Sequence, residues 1–276
     1  MRAAGDLREA GADILLFAGG YSTARNILGA VGLSIPVIGI PAGCKIHSAV
    51  YAVNPKKAGK LTVKYLRGGI KGNREAEVMD IDEELFRRNI VEARLYGYLS
   101  VPNERGLIQN LKSGRGSSEK GSIEMLSNYV CENLLKGTLH IIWPGSTTRA
   151  VIEKLGLGST LLGVDLIYNR AVIKNDAAEQ DILAALDSYG AARIVVTVIG
   201  GQGFIFGRGS QQISAAVLSR VGKENIIIAA SRDKMLSLMG GRLYIDTGDG
   251  AVNNSLRGYY KVITGYEEYV MFEADV

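Results

Sequence analysis

Five times along the chain a short apolar or β-branched run gives way to a turn of glycine and other small residues, and then to helix-like sequence. DILLFAGG (13–20) precedes STARNILGAVG, IPVIGIPAG (35–43) precedes CKIHSAVYAV, and TLHIIWPGS (138–146) precedes TTRAVIEKLG. ARIVVTVIGGQG (192–203) is soon followed by SQQISAAVLSRVG, and NIIIAAS (225–231) by DKMLSLMG. Strand, tight turn and helix in that order are the grammar of an α/β chain, so five repeats of it predict a parallel sheet. The 35 glycines among 276 residues serve this pattern, since they show no collagen-like period and only 5 prolines accompany them.

Between these units the texture changes. EVMDID and then ELFRRNIVEARLYGYLSVP (84–102) show period-two alternation at Val91, Ala93, Leu95 and Leu99, which predicts antiparallel strand. NLKSGRGSSEKGS (110–122) is polar and rich in glycine and serine, so it reads as a linker running into a helix through Leu135. The C-terminal GYYKVITGYEEYVMFEA alternates and carries aromatics, as a terminal hairpin would. A chain of this length has room for two domains. The expected division is an N-terminal Rossmann-like α/β nucleotide-binding domain over 1–66, truncated at its start, and a larger mixed domain over 67–276. The second has a β-rich part, and its last strands are expected to return to the first domain.

Charge and cysteine content exclude several classes. The net charge of +4 comes from scattered residues with short clusters such as Lys56-Lys57 and Arg87-Arg88, so no nucleic-acid partner is expected. Cys44 and Cys131 stand far apart without metal-ligand spacing, which argues against a disulfide framework and a zinc site and fits a reducing cytoplasm. The longest apolar runs, such as 14–18 and 226–230, hold about five residues against the roughly 18 needed to span a bilayer, so no membrane is expected either.

Three of the turns have the makings of anion sites, where glycine lets backbone N–H groups approach a phosphate and hydroxyls add donors. They are Gly19-Gly20-Tyr21-Ser22-Thr23, Pro144-Gly145-Ser146-Thr147-Thr148 with Arg149 beside it, and Gly200-Gly201-Gln202-Gly203 with Arg208 nearby. All three follow strands, where open α/β sheets bind ligands. A phosphorylated or nucleotide ligand is therefore expected. GxxxxGK[ST], GxGxxG after a strand and GxSxG are all absent, so a P-loop kinase, a common dehydrogenase and an α/β-hydrolase are disfavoured.

At this point the sequence resembles a known family. GGYSTARNI, then IPVIGIPAGCKIHSAVYAVNPKKAG, WPGSTTRAVIEKLGLGSTLLGVDLI and VVTVIGGQGFIFGRGSQQIS look like the ATP-NAD kinase superfamily, in the branch that includes the acetoin-catabolism protein X group. The resemblance runs over nearly the whole chain. It implies phosphorylation of the 2′-hydroxyl of NAD to NADP, with ATP or polyphosphate as donor and Mg²⁺ as helper, in a cytoplasmic homo-oligomer of NAD kinase-like fold. Gly19 and Gly20 match the glycine pair of the family's GGDGT motif, Thr23 its threonine, and Gly43 lies in a second glycine turn. Tyr21 stands where the family has Asp, and Ser22 where it has glycine. A tyrosine, with an ordinary pKa near 10, is a poor base at neutral pH, so the position implies altered chemistry or stacking on a nucleotide ring. Asp176-Ala177-Ala178-Glu179 resembles the Asn-Glu nucleotide-reading motif with alanine in place of asparagine. Family members also carry a strand, a helix and a longer leader ahead of the glycine motif, where 18 residues precede Gly19 here.

The candidate contacts follow. Gly145, Ser146, Thr147, Gly200 and Gly201 would hold phosphate, Lys45 would reach it from the second turn, Asp165 and Glu179 would orient NAD, and Asp176 belongs with Glu179 to the nucleotide-reading motif. Asp165, at the end of LLGVD, is either a catalytic carboxylate that also holds a metal-bound phosphate or a ribose, or one that caps a loop. His47 either reaches the nicotinamide side or is a core or surface histidine, His140 is weighed as a core histidine, and Asp246 and Asp249 either bind a cation or the ribose or serve a turn. No metal ligands are assigned. Two alternatives to NAD phosphorylation stay open: a nucleotide-binding protein that has lost its chemistry, and a kinase of another small alcohol.

Overall fold

The computed structural model describes residues 1–42, 46, 48–81, 93–104, 107–108, 117–160, 162–209, 211–238 and 241–276. Gly43, Cys44, Lys45 and His47, with Arg87-Arg88 and the alternating residue Val91, lie outside them. The chain divides into two compact units, Met1–Ser113 and Gly114–Val276. That division falls inside the serine- and glycine-rich segment read as a linker, whereas the expected boundary lay after residue 66. The difference is the antiparallel hairpin, which packs with the first unit.

In the first unit, α1 (Arg2–Glu9), β1 (Leu15–Gly19), α2 (Tyr21–Val31), β2 (Val37–Pro41) and α3 (Pro55–Leu66) precede β3 (Asn73–Ile81) and β4 (Ala93–Pro102). β1 and β2 pair in parallel from Leu15↔Val37 to Gly19↔Pro41. β3 and β4 pair antiparallel from Asn73↔Pro102 to Ile81↔Ala93, with an irregularity between Val78 and Met79. α2 buries Ala24, Ile27 and Val31, the 3-then-4 spacing of one helix face. Asn54 starts α3: its side chain accepts the Lys57 N–H and Pro55 takes the first helical position.

CKIHSAVYAV was expected to be helical, and its described end is not. Gly39 and Tyr51 form a parallel bridge, Ala52 and Ile108 an antiparallel one, and the helix waits until Pro55. The reason is tertiary. The fully buried Tyr51 lies edge-on to Phe17 with ring centroids 5.4 Å apart, and its hydroxyl donates to the Gly20 carbonyl at 2.6 Å. A helix at this point would pull that ring off β1 and β2.

In the second unit, α4 (Ser117–Glu132) leads into β5 (Leu139–Ile142), α5 (Ser146–Lys154), β6 (Asp165–Tyr168), β7 (Ala171–Lys174) and α6 (Glu179–Tyr189). There follow β8 (Ala192–Val196), β9 (Phe204–Phe206), α7 (Ala215–Val221), β10 (Ile226–Ala229), α8 (Arg232–Leu236), β11 (Arg242–Ile245), α9 (Gly250–Ser255), β12 (Gly258–Ile263) and β13 (Tyr269–Asp275). Among the described residues these strands form one nine-stranded sheet in the order β7-β6-β5-β8-β10-β12-β13-β11-β9. β5, β8 and β10 run parallel, as the strand–turn–helix pattern predicted, and β12 joins them in parallel beside β10. β12 and β13 are the antiparallel terminal hairpin. They belong to this sheet, with β13 beside β11. Among the described residues no helix is long and apolar enough to cross a membrane.

Gly39 shows how tightly Tyr51 is seated, because a Cβ there would fall 2.6 Å from the Tyr51 ring. We expect Gly39→Ala to lower the unfolding free energy by about 1–3 kcal/mol, since a buried ring held at both ends cannot move aside. Gly59→Ala, on an exposed helical position with open space for the methyl, should raise it by up to about 1 kcal/mol. Urea unfolding of both variants measures the contrast.

Candidate functional site

The first candidate cluster lies in the N-terminal unit, where β1 hands the chain to α2. Gly20 is the N-cap of α2 and has no side chain to offer, so the first-turn N–H groups face outward uncapped by it. Gly19 must be glycine, since a Cβ would fall 2.2 Å from Thr23 Oγ1. Both glycine carbonyls are fixed: Gly19 accepts from the Ala42 N–H at 3.3 Å and Gly20 from the Tyr51 hydroxyl. Tyr21 is half-buried, Ser22 exposed and Thr23 half-buried, so the turn keeps its hydroxyls at the surface.

Two further side chains reach this turn, and sequence reading missed both. Burial, then the nearby Tyr21 and Asp80, push the Tyr51 phenol far above its ordinary range. Three oxygen acids therefore converge here, one of them the carboxylate of Asp80 from β3. Asp80 is only 8% exposed and pairs with Arg25 of α2, Oδ2 to Nε at 2.9 Å. The Arg25 guanidinium also lies 4.9 Å above the Tyr96 ring. The signal for Asp80 was its register. Ala76, Val78 and Asp80 all point inward along β3, and a carboxylate on an apolar register is costly to bury without a partner or a task.

The second cluster lies in the C-terminal unit, at the C-terminal ends of β5, β8 and β10. Gly145, with φ +150°, caps α5 and brings Ser146 and Thr147 into its first turn. Thr148 is spent on structure: fully buried, it donates to the Trp143 carbonyl at 2.6 Å. Thr147 faces the next strand. Its Oγ1, and Oγ1 of Thr197 just past β8, each accept from the Lys234 ammonium at 3.2 Å. Ser231, whose Oγ accepts the Lys234 N–H, holds that lysine at the start of α8. Lys234 is a third residue missed, because DKMLSLMG carries no motif and only the sheet order brings it beside Thr147.

Within this unit the remaining candidates separate. Gly200 and Gly201 form a tight turn in which the Ile199 carbonyl accepts the N–H groups of Gln202 and Gly203. Arg208 pairs with Asp246 at 3.3 Å, and Asp249 caps α9 by accepting from Ala251 and Val252, so both aspartates have turn and pairing tasks. Arg149 pairs with Glu153 along α5.

Two sequence models match this chain in the order of their domains: the ATP-NAD kinase N-terminal domain over residues 1–70 and the ATP-NAD kinase C-terminal domain over 141–274. The chain belongs to the ATP-NAD kinase superfamily. No curated protein and no solved structure gives a significant match. The mixed α/β architecture with its large sheet is that of an NAD kinase-like fold.

Asp80 approaches the Tyr21 turn from β3. Asp165 is 1% exposed, and its carboxylate accepts from Thr160 N–H and Oγ1, both at 2.9 Å, and from Asp176 N–H at 3.1 Å. It anchors the loop that carries Asp176 and Glu179, as the loop-capping alternative has it. Asp176, with φ +49°, is exposed and Glu179 half-buried at the start of α6. Among the described residues no group of three or more His, Cys, Asp or Glu is arranged for a metal ion. Mg²⁺ carried on nucleotide phosphates needs few protein ligands. Cys131 is a buried thiol pushed up to about 11 by burial and donating to the Val151 carbonyl, hence unreactive.

His140 on β5 is 2% exposed, has no described partner at Nε2, and is lowered to about 4 by burial and then by Arg193. It is a neutral core histidine. A folded-state pKa below the unfolded value of about 6.5 means that protons bind the unfolded chain more tightly. Stability should therefore be full above pH 6.5 and fall by up to about 3 kcal/mol as the pH drops toward 4. In His140→Leu, this part of the acid dependence should vanish; urea midpoints across pH 4–8 measure it.

Proposed function

We propose that this superfamily member is an NAD kinase-like phosphotransferase, transferring a phosphoryl group from ATP or polyphosphate to the 2′-hydroxyl of NAD. The observation that carries the reading is the Lys234 ammonium held between Thr147 and Thr197 beside the uncapped start of α5. A fixed cation, hydroxyls and outward N–H groups are the parts that stabilise charge on phosphate oxygens. Phosphoryl transfer is accelerated mainly by positioning and electrostatic stabilisation, with little covalent work for the protein. That is why replacing one carboxylate by Tyr21 is compatible with activity. In this reading Lys234 and Thr147 orient the phosphates of the donor. Mg²⁺, when bound with the nucleotide, neutralises phosphate charge.

The test is NADP formation from NAD, Mg²⁺ and either donor. Lys234→Met is expected to weaken ATP binding about 10- to 100-fold, the loss of a charged hydrogen bond. ATP binding with no product from any acceptor would overturn catalysis and leave the second reading, a nucleotide-binding protein without chemistry. The tyrosine at position 21 is what favours that second reading, and recovery of turnover in Tyr21→Asp alone would establish it.

A further inference from the structure

Most basic residues are scattered along the sequence, but one short segment concentrates them and its helix sets most of these on one side. Between residues 55 and 71 there are six cations, Lys56, Lys57, Lys60, Lys64, Arg67 and Lys71, and no acidic residue, against a net charge of +4 for the whole chain. The rest of the chain is thus net negative by two, and all of its positive excess sits on α3 and the turn that follows. Their spacing of three or four residues places Lys56, Lys60, Lys64 and Arg67 on one outer side of α3, while Ala58 and Leu61 are buried on the other. Lys64 is tied to Glu104; Lys56, Lys60, Arg67 and Lys71 are exposed.

This arrangement works against the helix itself. Lys56 and Lys57 stand at its positive N-terminal end, and Lys56–Lys60 and Lys60–Lys64 are like charges four residues apart. Burial, and then Lys60, hold the Lys57 ammonium below the usual lysine range. Among the cations stand two outward aliphatic side chains, Val63 at 48% and Leu66 at 59% exposure, and Lys60, Val63, Lys64 and Arg67 line a shallow groove with Gly59 and Gly69.

We propose that this face of α3 is a docking surface for an anionic lipid bilayer. Lysines and arginines meet the headgroup phosphates, and Val63 and Leu66 enter the boundary above the acyl chains. A nucleic-acid strand would complement the charge but leave the two aliphatic residues in water, and such surfaces ordinarily interleave aromatics for base stacking. The surface is peripheral, in keeping with the lack of a spanning helix among the described residues, and it is independent of the phosphotransferase reading.

Sedimentation of the purified chain with phosphatidylcholine vesicles, plain or containing about one third phosphatidylserine, tests it. Binding is expected to the anionic vesicles alone and to be lost between about 0.05 and 0.5 M salt. Each cation near a charged bilayer contributes about fivefold, so the triple variant Lys60→Gln, Arg67→Gln and Lys71→Gln should bind about a hundredfold more weakly. Val63→Ser with Leu66→Ser, which keeps every charge, should reduce vesicle binding about tenfold and leave binding to a poly(U) RNA unchanged. No vesicle binding at low salt, equal binding to neutral vesicles, or a serine pair without effect on vesicles would each overturn the proposal. Should the triple variant misfold by circular dichroism, the salt series and the serine pair decide alone.

Discussion

A parallel strand can pass the chain to the next parallel strand only by a crossover, so its C-terminal end must open into a turn before a helix carries the chain back. In both units of this protein those turns are where glycine, hydroxyl and charge collect. In the first, β1 ends at the Gly19–Gly20 pair; in the second, the aligned ends of β5, β8 and β10 deliver Thr147, Thr197 and Lys234 to one place. The five recurring sequence units are this constraint seen one strand at a time.

Buried polar groups then decide how each turn is held. Tyr51 gives its hydroxyl to the Gly20 carbonyl from beneath, fixing the start of α2 while its ring closes over Gly39. Asp165 does the corresponding work in the second unit, taking three hydrogen bonds in a loop almost closed to solvent. Each is an acid by sequence and an anchor by geometry. Asp80 differs: buried on β3, it is paired with the Arg25 guanidinium of α2 and raises the pKa of Tyr51 beside the Gly20 turn.

The charge pattern follows the same logic at the surface. A helix that served folding alone would not place lysines at its own N-terminus and at successive four-residue intervals. α3 carries this cost on its outer side while its inner side, Ala58 and Leu61, packs normally.

By itself the sequence determined the α/β class, the parallel core of the larger sheet, the C-terminal hairpin and the superfamily, because all of these are written in local periodicity, turn chemistry or contiguous motifs; of the expected linker over 110–122, residues 110–116 lie outside the described ones and 117–122 are already helix. It also placed Gly19, Gly20, Ser146 and Thr147 at strand ends. Only the tertiary structure decided which side chains from distant segments meet there. Lys234 joins Thr147 across 87 residues and Asp80 joins Arg25 across 55 because strand order and hairpin packing bring them together, and neither is coded by spacing along the chain. The same holds for the segment before α3, whose helical pattern yields to the burial of Tyr51, and for Asp165, whose carboxylate is consumed by a loop whose turns only the fold defines.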